Sequence, residues 1–235
     1  MKITSINSPL TKHEQYDTMD GKIPPLYSVT KISQGVKNPN RANIFIDGKY
    51  SFSLDIAQLA DFKLKIGQDL TPSQLADLQH ASDFGKLYQR TLEWVLTRPR
   101  SVQETRDYLR RKQFARGSCY EKQSSEVLDR LISKSYLDDA KFAEFWVNNR
   151  FVNKGASRRR LEQELAKKGV ARPIVLVTLA ATDRTDAAEI SKIIAKKGAK
   201  YAANPQKFIQ YLVAQGFDYE SAKTAVQQTD SQNSA

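Results

Sequence analysis

The chain has 235 residues, 40% of them apolar and 27% charged, and this composition is typical of a soluble globular protein. Its 37 Lys and Arg outnumber 26 Asp and Glu, so the formal net charge of +11 favours a polyanion or an acidic protein surface as partner. The single cysteine excludes an internal disulfide framework. The absence of a secretory h-region, or of an apolar run near the roughly 18 residues of a membrane span, predicts a cytoplasmic protein.

The first part of the chain is predicted to contain a flexible polar leader and a small β module. Residues 1–25 are polar without a sustained period, whereas residues 26–81 carry strand-like alternation. The alternation predicts a three-strand meander, with strands at 27–32, 42–46 and 50–54. Asp47-Gly48 is a strong hairpin signal between the last two strands, because Gly readily adopts positive φ. A sheet this small needs an element to cover one face, and the helix expected at 55–62 is the candidate. Pro72 is expected to begin another helix as its first residue.

The remaining chain repeats a helical block. In its clearest copy a potential cap at Asp139 is followed 18 residues later by a second cap at Ser157, and the block closes on Leu165 and Val170. Two further copies lie 56 residues upstream and 47 downstream, with the corresponding residues Asp83, Ser101, Leu109 and Phe114, and Asp186, Asn204, Leu212 and Phe217. One such block cannot bury its apolar face alone, so a period near 50 residues predicts tandem three-helix repeats.

This organisation predicts a mainly α fold, an elongated curved array of three-helix repeats preceded by the small β-meander/α module. The predicted boundaries are a leader at 1–25, the β module at 26–81, repeats at 82–136, 137–183 and 184–229, and a tail at 230–235. A polar, Gly-containing insert at 116–124 explains the unequal offsets. The first repeat is expected to pack less well because Thr105 replaces a large apolar residue, whereas the apolar helix at 174–181 is expected to be largely buried.

No arrangement of residues indicates catalysis, a metal site or a bound cofactor. His13 and His80 are far apart and lack metal-ligand spacing, and no Walker loop, G-x-G-x-x-G or H-E-x-x-H motif occurs. Asp138-Asp139 precedes an apolar helical stripe, so capping explains this pair better than acid–base chemistry. The sequence therefore predicts a protein that is not an enzyme, although a catalytic thiol at Cys119 in the polar insert stays open as an alternative.

Clustered cations are the strongest functional signal. Residues 98–116 contain seven Lys and Arg against two acids, and residues 150–172 contain eight against two. Arg guanidiniums suit phosphates and carboxylates alike, so the clusters fit either DNA or an acidic protein. The candidate binding residues are Arg106, Arg110, Arg111, Arg150, Lys154, Arg158, Arg159, Arg160, Lys167 and Lys168. The apolar face of the second basic helix leaves Arg159 and Lys167 on its outer side.

Three segments of the repeats carry extended motifs, which are R-P-R-S-x-x-E-x-R-D-Y-L at 98–109, Y-L-D-D-x-x-F-A-x-x-W-V-x-N-R at 136–150 and S-R-R-R-L-x-Q-E-L-x-x-K-G-V at 157–170. These segments resemble the RecX family, the bacterial regulators of the RecA recombinase. The segment K-N-P-N-R…I-D-G-x-Y-S-F-S-L at 37–54 is similar to the N-terminal module of longer members. The chain departs from the pattern at two positions that often hold Gly and one that usually holds Leu, namely Ser135, Gln113 and Thr105.

The resemblance implies a curved, modular helical protein without a catalytic site. Members of the family bind along the groove of the RecA–DNA filament and modulate its ATPase, strand exchange and coprotease activities. For this chain the resemblance implies a monomer whose basic repeats engage the RecA filament, mainly as an inhibitor, with direct binding to single- or double-stranded DNA secondary. Replacing Arg158, Arg159 and Arg160 together with Ala is expected to weaken filament binding and to leave the fold intact.

A general nucleic-acid-binding protein is the alternative function. Such a protein would bind DNA without the recombinase and lose affinity steeply as salt is added. The basic helices lack interleaved aromatic residues for base stacking, which counts against this alternative. The sequence leaves open whether the β module binds a partner or only shields the first repeat.

Overall fold

The computed structural model describes residues 26–36, 38–114 and 120–233. The predicted leader at 1–25, Cys119 and the last two residues of the predicted tail lie outside these ranges. The described residues form a small sheet followed by helices, and the chain divides into two compact units between residues 86 and 87. Among the described residues, no helix combines the length and the apolar character that crossing a membrane requires.

The first unit contains β1 (Tyr27–Gln34), β2 (Arg41–Ile46), β3 (Lys49–Asp55), α1 (Ile56–Asp61), β4 (Asp69–Leu70) and the start of α2 (Pro72–Leu96). The second unit contains the end of α2, α3 (Val102–Phe114), α4 (Tyr120–Ser133), α5 (Asp139–Asn149), α6 (Arg158–Lys167), α7 (Arg172–Ala181), α8 (Asp186–Tyr201), α9 (Pro205–Ala214) and α10 (Tyr219–Asn233). The three predicted strands and the helix starting at Pro72 are confirmed. The short strand β4 was not predicted, because two residues show no alternation.

The sheet is antiparallel with strand order β3-β2-β1-β4. The predicted hairpin joins β2 to β3, and Asp47 and Gly48 both have positive φ, 50° and 79°, as a two-residue hairpin turn requires. The core on one face of the sheet consists of Val29, Ala42, Ile44, Ile46, Phe52, Leu54, Leu64, Leu70 and Leu78. A capping box joins Asp55 to Gln58, whose side chain also donates to the carbonyl oxygen of Ala81 at 2.7 Å. The buried helical residue of this core is Leu78 of α2, whereas α1, the helix predicted to cover the sheet, contributes only the partly buried Leu59.

Three repeats of three helices make up the second unit. They consist of the end of α2 with α3 and α4, then α5 with α6 and α7, then α8 with α9 and α10. The mainly α fold with three-helix repeats after a β module is thus confirmed. The predicted helix start at Asp83 is wrong, because residues 73–96 contain no proline and α2 continues unbroken through them. The last helix runs to Asn233 and so passes the predicted start of the tail at residue 230.

The second and third repeats each enclose an apolar core. The buried residues of the two cores are Phe142, Ala143, Val147, Ala156, Leu161, Leu165, Val170, Val175 and Leu179, and Ile190, Ile193, Phe208, Ile209, Leu212, Phe217, Ala222 and Val226. The prediction of a largely buried α7 is wrong, since only one of its faces packs on α5 and α6 and Val177 is 70% exposed. Thr105 is fully buried, and its hydroxyl donates to the carbonyl oxygen of Ser101 at 3.1 Å.

Ser135 ends α4 in a backbone conformation that favours glycine. Its φ is 59°, and its N–H donates to the carbonyl oxygen of Ile132 at 2.8 Å. Because glycine has no Cβ to clash in this left-handed region, we expect Ser135→Gly to raise the free energy of unfolding by about 1 kcal/mol. Denaturant unfolding measures the change. Ser133→Gly, inside the last turn of α4, is the matched control and should lower the stability by about 0.5 kcal/mol; equal effects of the two changes would contradict the strain at Ser135.

Candidate partner-binding surface

The second helix of each of the first two repeats is bonded at its start to the following repeat. The Ser101 hydroxyl donates to the carbonyl oxygen of Lys168 at 2.7 Å, and the Ser157 hydroxyl donates to that of Gln215 at 2.8 Å. Lys168 and Gln215 are equivalent positions, 47 residues apart. Both serines also accept from an amide of their own helix, as predicted for caps. The two junctions therefore share one hydrogen-bonding pattern.

An aspartate from the following repeat completes each junction. The N–H of Val102 donates to Asp139 and the N–H of Arg158 donates to Asp186, both at 2.9 Å. The residues that cap α5 and α8 themselves are Asp138 and Thr185. The predicted cap in the Asp138-Asp139 pair is therefore confirmed at Asp138, whereas Asp139 and Asp186 do not cap their own helices. Each of them satisfies an N-terminal amide of the preceding repeat's second helix.

The first and third repeats do not form the junction bond at the positions that join the other repeats. Pro205 is equivalent to Val102 and Arg158 but has no N–H for an aspartate to accept from. Asp83 is equivalent to Asp139 and is also an aspartate, yet it lies inside α2 and pairs with Lys86 at 3.6 Å. The junction bond therefore depends on the setting of each residue as well as on its type.

In every repeat, the same pair of positions links the first helix to the second. The type of interaction at this pair differs from repeat to repeat. The equivalent pairs are Trp94 with Tyr108, Arg150 with Glu164, and Lys197 with Tyr211. The first pair is an aromatic stack with ring centroids 4.3 Å apart, the second is an ion pair at 2.8 Å, and the third is a hydrogen bond at 2.7 Å. Because the position is structural in all three repeats, Arg150 has a role in holding its own repeat together.

Four of the ten predicted binding residues are partly buried and bond to groups outside their own helix, namely Arg150, Arg158, Arg160 and Lys168. The Arg158 guanidinium donates to the carbonyl oxygen of Leu179 at the end of α7. Arg160 donates to the side-chain oxygen of Gln215 at 2.6 Å, and the Lys168 ammonium lies 2.6 Å from Glu104. Replacing 158–160 together would therefore remove two internal contacts as well as the cation at position 159.

Two half-buried carboxylates anchor these internal cations. Burial opposes the ionisation of Glu104, but hydrogen bonds from Arg98 and Lys168 outweigh it and hold the pKa of the carboxyl below its ordinary value. Burial likewise opposes the ionisation of Glu164, and the Arg150 side chain is the main group that lowers the pKa of this carboxyl below its ordinary value. Both carboxylates are therefore ionised at neutral pH and keep their cations in place.

The other six predicted residues expose their charges to solvent, and they are Arg106, Arg110, Arg111, Lys154, Arg159 and Lys167. Arg110 pairs with Asp107 at 3.8 Å, but both side chains are at least half exposed, and such pairs contribute little stability. In the part of the chain that the structure describes, the side chains of Arg159 and Lys167 have no hydrogen bond or ion pair. The outward position predicted for these two side chains is confirmed by their exposure.

A buried ion pair at the junction of the second and third repeats was not predicted. Glu189 is 1% exposed, and Arg184 contacts both of its carboxylate oxygens, at 2.7 and 3.1 Å. Arg184 also donates to the carbonyl oxygens of Val147 and Arg150 at the end of α5, while the N–H of Ala156 donates to Glu189 at 2.9 Å. The sequence did contain a signal for this ion pair. Glu189 lies four positions before Ile193 on the apolar stripe of α8, where a solvated carboxylate is not expected.

Aromatic rings lie beside several of the cations. The sequences of the basic helices, taken alone, had indicated no such aromatic neighbours. The Arg100 guanidinium lies 3.8 Å from the ring centroid of Trp94, and those of Arg150 and Arg160 lie 3.8 and 4.6 Å from that of Phe151. Trp94 and Phe151 come from neighbouring elements, so inspection of one helix at a time misses them. These guanidiniums occupy ring faces that a stacked base would need.

Most of the excess positive charge belongs to the second unit. Residues 87–235 hold 27 of the 37 Lys and Arg but 17 of the 26 Asp and Glu. Within the described ranges, no group of three or more His, Cys, Asp or Glu is placed to hold a metal ion. The exposed cations of α3 and α6 therefore form the candidate partner-binding surface, and its chemistry suits an anionic partner.

Comparisons with known proteins find relatives over most of the chain. A family model described as RecX, second three-helix domain, matches residues 138–176, and the model of the Regulatory protein RecX N-terminal domain matches residues 27–71. Regulatory protein RecX of Bacillus licheniformis is 31% identical over 211 residues, which cover 87% of this chain and 78% of the relative. Regulatory protein RecX of Listeria monocytogenes is 31% identical over 212 residues, covering 87% of this chain and 76% of the relative.

Two solved structures share the fold. A crystal structure of regulatory protein RecX superposes with a TM-score of 0.68 at 23% identity and covers 85% of this chain and 98% of its own. A crystal structure of RecX from Lactobacillus salivarius gives a TM-score of 0.53 at 24% identity and covers 64% of this chain and 98% of its own. The likeness to these structures agrees with the arrangement of helical repeats described above.

Proposed function

Since this chain belongs to the RecX family of regulatory proteins, we propose that it regulates the RecA recombinase by binding along the RecA–DNA filament. The exposed cations of α3 and α6 make the contact, and the main effect is inhibition of ATP hydrolysis, strand exchange and coprotease activity. The protein acts as a monomer and has no catalytic role of its own. A ligand that binds one filament conformation more tightly than another shifts the filament toward that conformation and changes its turnover.

One observation supports this proposal above the others: the cations of the repeats fall into two groups. Arg150, Arg158, Arg160 and Lys168 have internal partners, whereas Arg159 and Lys167 have none among the described residues. Internal partners account for the first group without any ligand. The second group gains no stability from its position, so an external anionic partner is the physical reason to place cations there.

The test is the ATPase of the cognate RecA on single-stranded DNA, with this protein added well below one copy per RecA protomer. We expect the wild-type chain to lower the rate at such ratios, because competition for free DNA would need far more protein. The variant Arg159→Ala with Lys167→Ala should need about tenfold more protein for the same inhibition, since each change removes a charge that the anionic partner contacts.

The matched control is Lys196→Ala with Lys200→Ala, which removes two exposed cations of α8. It changes the net charge by the same amount as the Arg159/Lys167 variant. The control should inhibit within about twofold of wild type, as expected for charges outside the contact. Equal inhibition by wild type and the Arg159/Lys167 variant would show that this surface is not the contact. No inhibition by the wild-type chain at any ratio would contradict regulation of RecA itself.

Direct binding of nucleic acid is the second candidate function, and the exposed arginines favour it because a guanidinium suits a phosphate as well as a carboxylate. The aromatic rings do not add to this support. Trp94 lies between the stacked ring of Tyr108 and the Arg100 guanidinium, so its faces are covered. A direct DNA binder would bind without RecA, lose affinity steeply with salt and slow ATP hydrolysis only near saturation of the DNA. The ratio at which inhibition begins therefore separates the two functions.

A further inference from the structure

A groove runs between α6 and the end of α9. It has a volume of about 550 Å³ and is lined by Arg159, Arg160 and Gln163 from α6 and by residues 213–216. Arg160 donates to Gln215 at 2.6 Å, which holds its guanidinium across the groove. Val213, on the α9 side, is 40% exposed. The groove therefore combines two guanidiniums with an apolar wall.

The equivalent positions between α3 and α6 hold an internal carboxylate. The repeat alignment pairs Arg160 with Glu104 and Gln215 with Lys168. Glu104 accepts from Lys168 at 2.6 Å and from Arg98 at 3.1 and 3.2 Å. At the junction of the first two repeats the protein thus places an ion pair of its own at these positions.

The groove between α6 and α9 lacks such a carboxylate. None of its lining residues is acidic. Glu164, one turn along α6, approaches Arg160 at 3.5 Å but is already bonded to Arg150 at 2.8 Å. Among the residues that the structure describes, the Arg159 side chain has no partner. The cations of this groove are therefore compensated less than those that surround Glu104 at the equivalent positions.

We propose that the groove between α6 and α9 binds a carboxylate side chain from an acidic segment of the protein partner. The bound carboxylate accepts from Arg159 and Arg160, as Glu104 accepts from Arg98 and Lys168 within the protein. The apolar wall at Val213 suits the methylene groups of an acidic side chain better than a phosphodiester. This inference rests on the proposed function and names the chemistry of the partner at one part of its contact surface.

The test uses a fluorescein-labelled hexaglutamate peptide, and its binding to the full chain is followed by fluorescence anisotropy without RecA. The variant Arg160→Glu with Gln215→Lys copies the Glu104–Lys168 pair into the groove and fills it internally. We expect this variant to bind the peptide about tenfold more weakly, as for loss of one charge-assisted contact. Lys196→Gln changes the net charge equally and should leave peptide affinity within about twofold of wild type.

A second variant and a second measurement distinguish loss of peptide binding from a folding defect. Arg159→Gln removes an exposed side chain without an internal partner and is also expected to weaken peptide binding by about fivefold. In ¹⁵N spectra of the wild-type chain, the peptide should shift the amides of Arg159, Gln163 and Gly216 most. Wild-type affinity in both groove variants, or shifts spread evenly over the surface, would overturn the assignment.

A twelve-residue oligothymidylate separates a carboxylate from a phosphate ligand. If the groove variants lose oligonucleotide binding and keep peptide binding, the groove is a nucleic-acid contact and the assignment is overturned. The peptide measurement contains no RecA, so its failure is distinct from failure of the proposed function. Peptide binding in the groove without any effect on the RecA ATPase would contradict only the proposed function.

Discussion

Replacing Arg184 with Ala is expected to lower the free energy of unfolding by about 3–5 kcal/mol. The change leaves the carboxylate of Glu189, which is 1% exposed, without the partner that contacts both of its oxygens. It also leaves the carbonyl oxygens of Val147 and Arg150 without their donor at the end of α5. The carboxylate keeps Lys192 at 2.7 Å and the Ala156 N–H at 2.9 Å, but the loss of its buried bidentate partner is still strongly destabilising. Denaturant unfolding of the full chain measures the effect.

The matched control is Arg110→Ala, which removes an arginine from an exposed ion pair. Arg110 and Asp107 are 58% and 50% exposed, so the loss should not exceed about 0.5 kcal/mol. Similar losses for Arg110→Ala and Arg184→Ala would mean that the Arg184–Glu189 ion pair is not buried in solution.

The pH dependence of stability gives a second readout of the Arg184→Ala change. Burial opposes the ionisation of Glu189, but hydrogen bonds from Arg184, Lys192 and the Ala156 N–H hold its pKa below the ordinary value of 4.5. A lowered carboxyl pKa contributes stability that is fully present above the unfolded value and is lost as the pH falls through the folded value. The difference between wild type and Arg184→Ala should therefore shrink as the pH is lowered below about 4.5. A difference that is constant from pH 6 to pH 3 would exclude this electrostatic origin.

Local features of the fold were predictable because they depend on neighbours along the chain. Ser157 and Asn204 cap α6 and α9 through their own side chains, and the hairpin at Asp47-Gly48 is a two-residue pattern. The repeat period was also predictable, since equivalent residues keep fixed separations in the sequence. These signals were sufficient for the class of fold and for the order of its parts.

The roles of individual cations were not predictable, because they depend on contacts between helices far apart in the sequence. Arg158 and Arg159 are adjacent, yet one donates to a carbonyl oxygen of α7 and the other faces the groove between α6 and α9. A helical wheel orients residues relative to their own helix only. It identified the exposed face of Arg159 and Lys167, but it contains no information on the partners of Lys168 or Arg160.

Glycine at position 169 is required by the approach of two repeats, and Gly169→Ala is expected to lower the free energy of unfolding by about 2–5 kcal/mol. Its φ is 76°, which is unfavourable by roughly 1–2 kcal/mol for a residue with a Cβ. An added Cβ would also lie 2.4 Å from the Cβ of Gln103 on α3, and relieving such overpacking requires a further 1–3 kcal/mol or so. Denaturant unfolding measures the sum.

Gly67→Ala isolates the backbone part of this effect. Gly67 has a φ of 81° and no atom within 4 Å of an added Cβ, so the expected loss is about 1–2 kcal/mol from conformation alone. The excess loss at Gly169 then measures the packing of α6 on α3, the contact that also brings Lys168 to Glu104. At the equivalent position of the first repeat, Gln113 lies within α3. Equal losses for the two alanine variants would show that close packing does not hold the first two repeats together.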